Sequence, residues 1–162
     1  QGLAMAWKKP LVGCSAFEAL VALVEGWEGP VCPVFEARRG EVYAAVYRRE
    51  GALVHETTPG LVLSPEALCT LLPEQTLLLG NGVQAYRAQF AALLGTRAVY
   101  LSRAHEGGLA VSVARRGAMS MQAPPPEGWP LLQPLYIRAA DARLPRHPAV
   151  VGGASARQPT SH

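Results

Sequence analysis

Aspartate is nearly missing from this chain. Of its 12 acidic residues only one, Asp141, is an aspartate, and the rest are glutamates. Phosphoryl-transfer sites hold magnesium with carboxylates, often aspartates at strand ends, so the chain has little with which to build one. Cysteine is scarce too: Cys14, Cys32 and Cys69 are odd in number, far apart, and form no Cys-x-x-Cys pair. That excludes a disulfide framework and a cysteine zinc site. It leaves three small core-type thiols in a reducing, cytoplasmic setting. Completed histidine pairs are also lacking. His55-Glu56 and His105-Glu106 each begin like a zinc-protease motif, but position 59 is Pro and position 109 is Leu. Two ligands on one helical turn are therefore absent, and no metal site is expected. No apolar run reaches the length of a membrane span, and no secretory signal opens the chain, so no membrane partner is expected.

Positive charge is present but dispersed. The net charge is +3. The basic residues occur mostly as the doublets Lys8-Lys9, Arg38-Arg39, Arg48-Arg49 and Arg115-Arg116, too weak a patch for autonomous nucleic-acid binding.

Apolar material is ample. The 162 residues are 49% hydrophobic, enough for the core of one domain, or one domain and a fragment of another. The organising stretch is Glu36-Ala-Arg-Arg-Gly-Glu-Val-Tyr-Ala-Ala-Val-Tyr47. It reads as the turn and second strand of an antiparallel hairpin whose first strand is Val31–Glu36. Val42, Ala44 and Val46 point to one side, and Tyr43, Ala45 and Tyr47 to the other. Both sides are largely apolar, so the strand is expected to be covered on both faces. Gly40 supplies positive φ in the short connection. Taken by themselves, the residue types here fit a core hairpin with two solvated arginines.

The flanking elements follow from local signals. Gln1–Trp7 reads as an uncapped helix, so the sequence is expected to start inside a helix. Leu11-Val12 reads as a short strand. Ser15-Ala-Phe-Glu18 reads as a capping box, opening a helix with Phe17, Leu20, Val21 and Val24 on one face and Gly26 at its end. Glu41–Arg49 and Ala52–Thr57 continue the meander, and Pro33 suggests a partly free edge on the first strand. Ser64-Pro65-Glu66 starts a second helix. Thr76–Leu79 is a buried strand, and Gly80-Asn81-Gly82 turns into a helix carrying Tyr86, Phe90 and Leu93. Ala98–Leu101 is a further strand. A helix over 103–116 should stop at Gly117. Residues 123–126 form a stiff linker, and Leu131–Arg138 is extended. The element order predicts a mixed-sheet α/β domain. Residues 1–30 would end an N-terminal subdomain, 31–138 form a C-terminal α/β subdomain, and 139–162 a disordered tail.

Two catalytic motifs begin without finishing cleanly. Gly13-Cys14-Ser15 opens like a nucleophile elbow, but Phe17 stands where a glycine is needed, and Ser15 fits a helix cap better. Gly80-x-Gly82-x-x-Ala85 follows a strand and opens a helix, as a dinucleotide fingerprint does. Its acidic partner, due at the end of the next strand, is replaced by Ser102-Arg103. A plain glycine turn is the stronger reading, and a nucleotide-binding enzyme built on this turn is the alternative.

Four stretches, in order and at matching spacing, resemble one family. They are Gln1-Gly-Leu-Ala4 with Lys9–Leu20, the Glu36–Tyr47 hairpin, Leu79-Gly-Asn-Gly82, and Gln133-Pro-Leu-Tyr-Ile-Arg138. Together they resemble the TsaB (YeaZ) proteins. Glu36 and Asn81 stand where that family has Asp. The family's Asp-Thr-Ser strand and Gly-Pro-Gly-Ser-Phe-Thr-Gly loop would lie before Gln1, so an incomplete N-terminus is expected. The resemblance implies an actin-like ATPase (ribonuclease H-like) fold. It implies a non-catalytic role in making threonylcarbamoyl-adenosine beside the anticodon of tRNA. The implied partners are a TsaD-like catalytic subunit and a TsaE-like ATPase, with homodimers formed in the family. Under this reading the chain alone binds no cofactor, and ATP or ADP would sit at a shared interface. Leu3, Ala4 and Trp7 become the partner-facing residues. Arg38, Glu41, Tyr43, Gly80, Gly82, Tyr136 and Arg138 are the family-matching positions.

Overall fold

The hairpin around Gly40 occupies the middle of the sheet. A computed structural model of the protein describes residues 1–51, 53–72, 75–101, 108–121 and 132–138. β1 (Gly29–Glu36) runs out to a tight turn at Arg38–Gly40 and returns antiparallel as β2 (Val42–Glu50). β3 (Leu53–Leu63) lies antiparallel to β2. β4 (Thr76–Leu79) pairs parallel with β1, and β5 (Ala98–Tyr100) pairs parallel with β4. The sheet order is β3-β2-β1-β4-β5, the mixed sheet expected from the element order. The helices are α1 (Gly2–Ala6), α2 (Ala16–Val21), α3 (Pro65–Leu71), α4 (Asn81–Ala85), α5 (Arg87–Leu94) and α6 (Gly108–Ser120).

Strand alternation sends β2 into two cores. Val42, Ala44 and Val46 join Cys32, Val34, Leu78 and Phe90 on one face, where Leu68 of α3 and Leu94 of α5 cover them. Ala45 and Tyr47 join Val31, Leu77 and Leu79 on the other, beneath Phe17 and Val21 of α2. Tyr43 is half-buried against that second cluster. The two-sided burial read from the hairpin is therefore the observed arrangement.

Caps and boundaries separate local signals from tertiary ones. Ser64 caps α3 as expected, its Oγ accepting from the Ala67 amide at 3.2 Å. Ser15 stands at the N-cap of α2 but makes no side-chain cap bond, so the capping box does not form. Glu18 turns instead to Arg116 of α6 at 2.7 Å, because an ionised partner outcompetes a solvated amide. α2 ends at Val21 rather than near Gly26. Tighter bonds from Leu23 to Leu20 O (3.2 Å) and Val24 to Val21 O (3.0 Å) carry Val24 into the core.

Other expectations are corrected. Leu11-Val12 forms no strand; Val12 lies against Gly117 of α6 instead. Gly117 is buried inside α6 rather than ending it, since its missing side chain lets Val12 approach. Tyr86 breaks α4 from α5 with φ −113°. The helical phase restarts there, so Phe90 and Leu94 are buried one turn apart and Leu93 is exposed. Pro33 sits in an interior strand. The pairs of β1 with β2 pass from Val31↔Tyr47 to Val34↔Ala44, so its missing N–H falls where that ladder is interrupted. β3 runs to Leu63, beyond the expected Thr57, and its first five residues are exposed, which weakens any apolar pattern. The start of the 103–116 helix as far as 107, the 123–126 linker and the 139–162 tail lie outside the described residues.

The turn after β4 sets the closest backbone approach. Gly80 has φ +108°, and a Cβ there would stand 2.3 Å from the Val34 carbonyl oxygen. A Cβ on Gly82 would meet Val34 Cγ1 at 2.8 Å and Phe35 C at 2.9 Å. Gly80→Ala should therefore destabilise the fold by about 3 kcal/mol in urea unfolding, combining overpacking with backbone strain. Gly40→Ala, at φ +75° with open space around it, should cost only about 1 kcal/mol. Equal losses would contradict the close approach.

A second prediction concerns pH. Tyr47 is 4% exposed, and its hydroxyl donates to Glu56 Oε1 at 3.2 Å. Burial first, then the Glu56 charge, push its phenol well above its ordinary value. The folded state thus favours the neutral phenol. This contribution is complete below the ordinary tyrosine value of about 10 and is lost as pH rises beyond it. Denaturation midpoints from pH 8 to 11 should fall less steeply in Tyr47→Phe than in the unaltered protein.

Candidate functional site

The turn between β1 and β2 is built from two successive left-handed residues. Arg39 has φ 67° and Gly40 has φ +75°; the Ala37 amide closes the loop onto Glu41 O at 2.9 Å. Gly40 was legible as the flexible residue. Arg39 was not: a side chain in this region costs of order 1 kcal/mol, and nothing in its identity announces the conformation.

Two clefts flank this turn. The first, of about 470 Å³, is polar and is lined by Glu36, Arg38, Arg39, Asn81 and Tyr86 among others. It lies at the carboxyl ends of the parallel neighbours β1 and β4. The chain leaves β1 toward β2 and leaves β4 toward β5, in opposite directions along the sheet. Such a switch point is where open α/β sheets place ligands. The Glu36 amide donates to Asn81 Oδ1 at 3.2 Å, tying the end of β1 to the turn after β4.

The second cleft, of about 400 Å³, lies on the α2 face. Cys14, Phe17, Phe35 and Tyr43 line it, closed on one side by Leu135–Arg138. The rings of Phe17 and Phe35 stand 5.6 Å apart. Arg138 forms an ion pair with Glu41 and donates to Arg38 O at 3.3 Å. Its guanidinium lies 5.9 Å from the centre of the Tyr43 ring, within cation–π range.

The structure thus gathers Arg38, Glu41, Tyr43 and Arg138, separated by about a hundred residues, into one cluster. Tyr136 lines the same cleft as Tyr43 and Arg138, with its side chain 82% exposed. Gly80 and Gly82 lie apart, packed on β1. The α4 helix that follows this turn has only five residues. Leu3, Ala4 and Trp7 lie on α1, which buries no residue; Leu3 is 68% and Trp7 67% exposed. Among the described residues no three His, Cys, Asp or Glu side chains gather, and no helix is long and apolar enough to cross a membrane.

Residues 1–157 match the family profile described as TsaD: tRNA N6-adenosine threonylcarbamoyltransferase. The chain is 28% identical over 98 residues to the tRNA threonylcarbamoyladenosine biosynthesis protein TsaB of Bacillus subtilis, a match covering 57% of this chain and 43% of that protein. The chain belongs to this family, and within it resembles the TsaB (YeaZ) proteins.

Two solved Pseudomonas aeruginosa structures share the fold. One is described as an uncharacterized protein with similarity to peptidase YeaZ (TM-score 0.60, 22% identity, 85% of this chain and 63% of that one). The other is YeaZ (TM-score 0.52, 22% identity, 74% of this chain and 57% of that one). The chain thus spans less than two thirds of each of these relatives. The fold is the actin-like α/β fold that the resemblance implied. Glu36 and Asn81, which replace the Asp usual in TsaB sequences, turn out to be bonded neighbours. Sequence reasoning missed Cys14, Phe17, Phe35 and Ile137 as cleft walls. Gly60 within β3 was the available signal, because glycine inside a strand marks close approach. Phe17 and Ile137 are what approach it, at 3.0 and 3.1 Å from an added Cβ.

The three thiols differ in access. Cys32 and Cys69 are buried, which pushes both thiols up from their ordinary value, while Cys14 is half-buried on the cleft. A thiol reagent at pH 8 should therefore modify one cysteine of the native protein quickly, Cys14, and all three only after unfolding. Rapid native labelling of Cys32 or Cys69 would contradict the packing.

Proposed function

We propose that this protein is a non-catalytic scaffold subunit in the formation of threonylcarbamoyl-adenosine beside the anticodon of tRNA, and that it binds a TsaD-like catalytic subunit. The observation that carries the reading is its similarity to TsaB. The exposed apolar helix α1 supports the docking mode. Leu3, Met5 and Trp7 are 59–68% exposed, and apolar side chains grouped at a surface are the usual raw material of a protein interface.

In this reading Leu3, Ala4 and Trp7 face the partner, and homodimers compete for the same surface. A TsaE-like ATPase joins the assembly, tRNA is engaged indirectly, and the work takes place in the cytoplasm. ATP or ADP is held only where this chain meets a partner. The polar cleft beside Arg38 and Arg39 is the surface this chain would offer to such a nucleotide. The scarcity of aspartate supports assigning the chemistry to the partner.

The test is gel filtration of the intact protein mixed with TsaD at micromolar concentration. Co-elution is expected. Trp7→Glu should weaken the complex about tenfold, equivalent to about 1.4 kcal/mol, without changing the circular dichroism spectrum. ATP titrated into the protein alone should leave the fluorescence of Trp7, Trp27 and Trp129 without a saturable change. Persistent separation from TsaD would defeat the scaffold reading. Saturable ATP binding by the lone chain, lost in Gly82→Val, would favour the nucleotide-binding alternative.

A further inference from the structure

Residues 132–138 lie against the body without belonging to any strand. Their middle is exposed: Leu135 is 80% and Tyr136 82% accessible. Contact is concentrated at the two ends. At one end Leu132 O accepts from Gln1 Nε2 at 2.6 Å, and the Leu132 side chain rests on Gly13. At the other, Ile137 sits over Gly60, and Arg138 engages Glu41, Arg38 O and the Tyr43 ring. Between the ends is the apolar cleft of about 400 Å³, with Cys14, Phe17, Phe35 and Tyr43 as one wall and the segment as the other.

Interiors of folded proteins are close-packed, and a segment bound for good over an apolar surface fills it. This one leaves a cleft beneath it and is fastened by few bonds. We propose that residues 132–138 are a strap that opens and closes over the cleft, held shut by the Arg138–Glu41 latch. Opening breaks no strand ladder. Among the described residues it costs one ion pair, two hydrogen bonds, the Leu132 and Ile137 contacts and the Arg138–Tyr43 ring contact, the scale of a local rather than a global opening. The latch is also only partly shielded, since the Glu41 side chain keeps 35% of its surface. Dissolved salt therefore reaches it and weakens it. The strap does not rest on the scaffold reading: its latch and cleft lie on the α2 face, although its other end touches Gln1 at the start of α1.

Cys14 reports the state of the strap. It lines the cleft next to Gly13, which Leu132 covers, while Cys32 and Cys69 are buried elsewhere and report the integrity of the core. The experiment follows native labelling of each thiol by mass spectrometry in the unaltered protein, Arg138→Gln and Glu41→Gln. Each variant removes one side of the latch, so both should label Cys14 at least about fivefold faster, with Cys32 and Cys69 as slow as before. Raising salt from about 0.05 to 1 M should speed Cys14 labelling in the unaltered protein and have little effect in either variant. A Cys14 rate within about twofold of the unaltered protein in either variant would overturn the proposal. Acceleration of all three thiols together would overturn it as well, because the pair would then be holding the fold rather than a strap.

Discussion

The structure depends on how closely the turn after β4 can approach the backbone of β1. Two glycines, Gly80 and Gly82, remove the side chains that would meet Val34 O and Phe35 C. This lets β4 end beside the middle of β1, with Val31 to Pro33 paired to Leu77 to Leu79. Beyond Leu79 the last residues of β1 are flanked by α4, and Asn81 takes the Glu36 amide that a strand would otherwise have taken. The outward end of β1 is thereby fixed in position. The hairpin turn that follows, with Arg38, Arg39 and Glu41, stands where the parallel strands finish. The glycines that read in the sequence as a turn also serve this backbone packing.

The two faces of the sheet are finished differently. On the face of Val42, Ala44 and Val46, α3 and α5 supply large buried residues, Leu68, Phe90 and Leu94. On the other, α2 is short and covers only part of the surface with Phe17 and Val21. α6 then packs on α2 through small residues. Ser112 Oγ donates to Ala19 O at 2.6 Å, and Gly117 admits Val12 of the segment that precedes α2. Helices joined by such contacts sit close together and spread little over the sheet. What α2 leaves uncovered beyond Phe17 is the apolar cleft, and residues 132–138 complete its wall. The incomplete cover therefore follows from the length and small contact residues of these helices.

Much of this was legible where the signal was local and repeated. The alternation along β2 gave both faces of the sheet, Ser64-Pro65 gave a real helix start, and the apolar run Thr76–Leu79 gave a buried strand. Errors arose where a distant residue decided the outcome. Ser15 and Glu18 have the composition of a capping box, but Arg116, nearly a hundred residues away, takes the glutamate. Gly117 looks like a stop, yet it is retained inside α6 because Val12 needs the room. Leu93 follows a helical phase counted through Tyr86, where the helix is broken. The cluster of Arg38, Glu41, Tyr43 and Arg138 was marked by family resemblance. Residue types alone gave no reason to bring its members together, since that depends on where the chain lies after α6.

That cluster also bears on what the chain can do chemically. Arg138, the cation at the apolar cleft, is bound to a carboxylate, a carbonyl and an aromatic face. Glu18 is likewise paired with Arg116, and Glu56 accepts from Tyr47. A carboxylate already satisfied by a guanidinium is a poor base and a poor metal ligand, since either task requires breaking the pair first. The two thiols shifted by burial are protected from becoming nucleophiles for the same physical reason that they are inert, desolvation of the charged form. These charged and nucleophilic groups are spent on internal contacts, while the apolar residues of α1 are left uncovered. That division suits a protein whose proposed work is to hold a partner in place, because docking draws on exposed apolar surface and catalysis draws on unpaired polar groups.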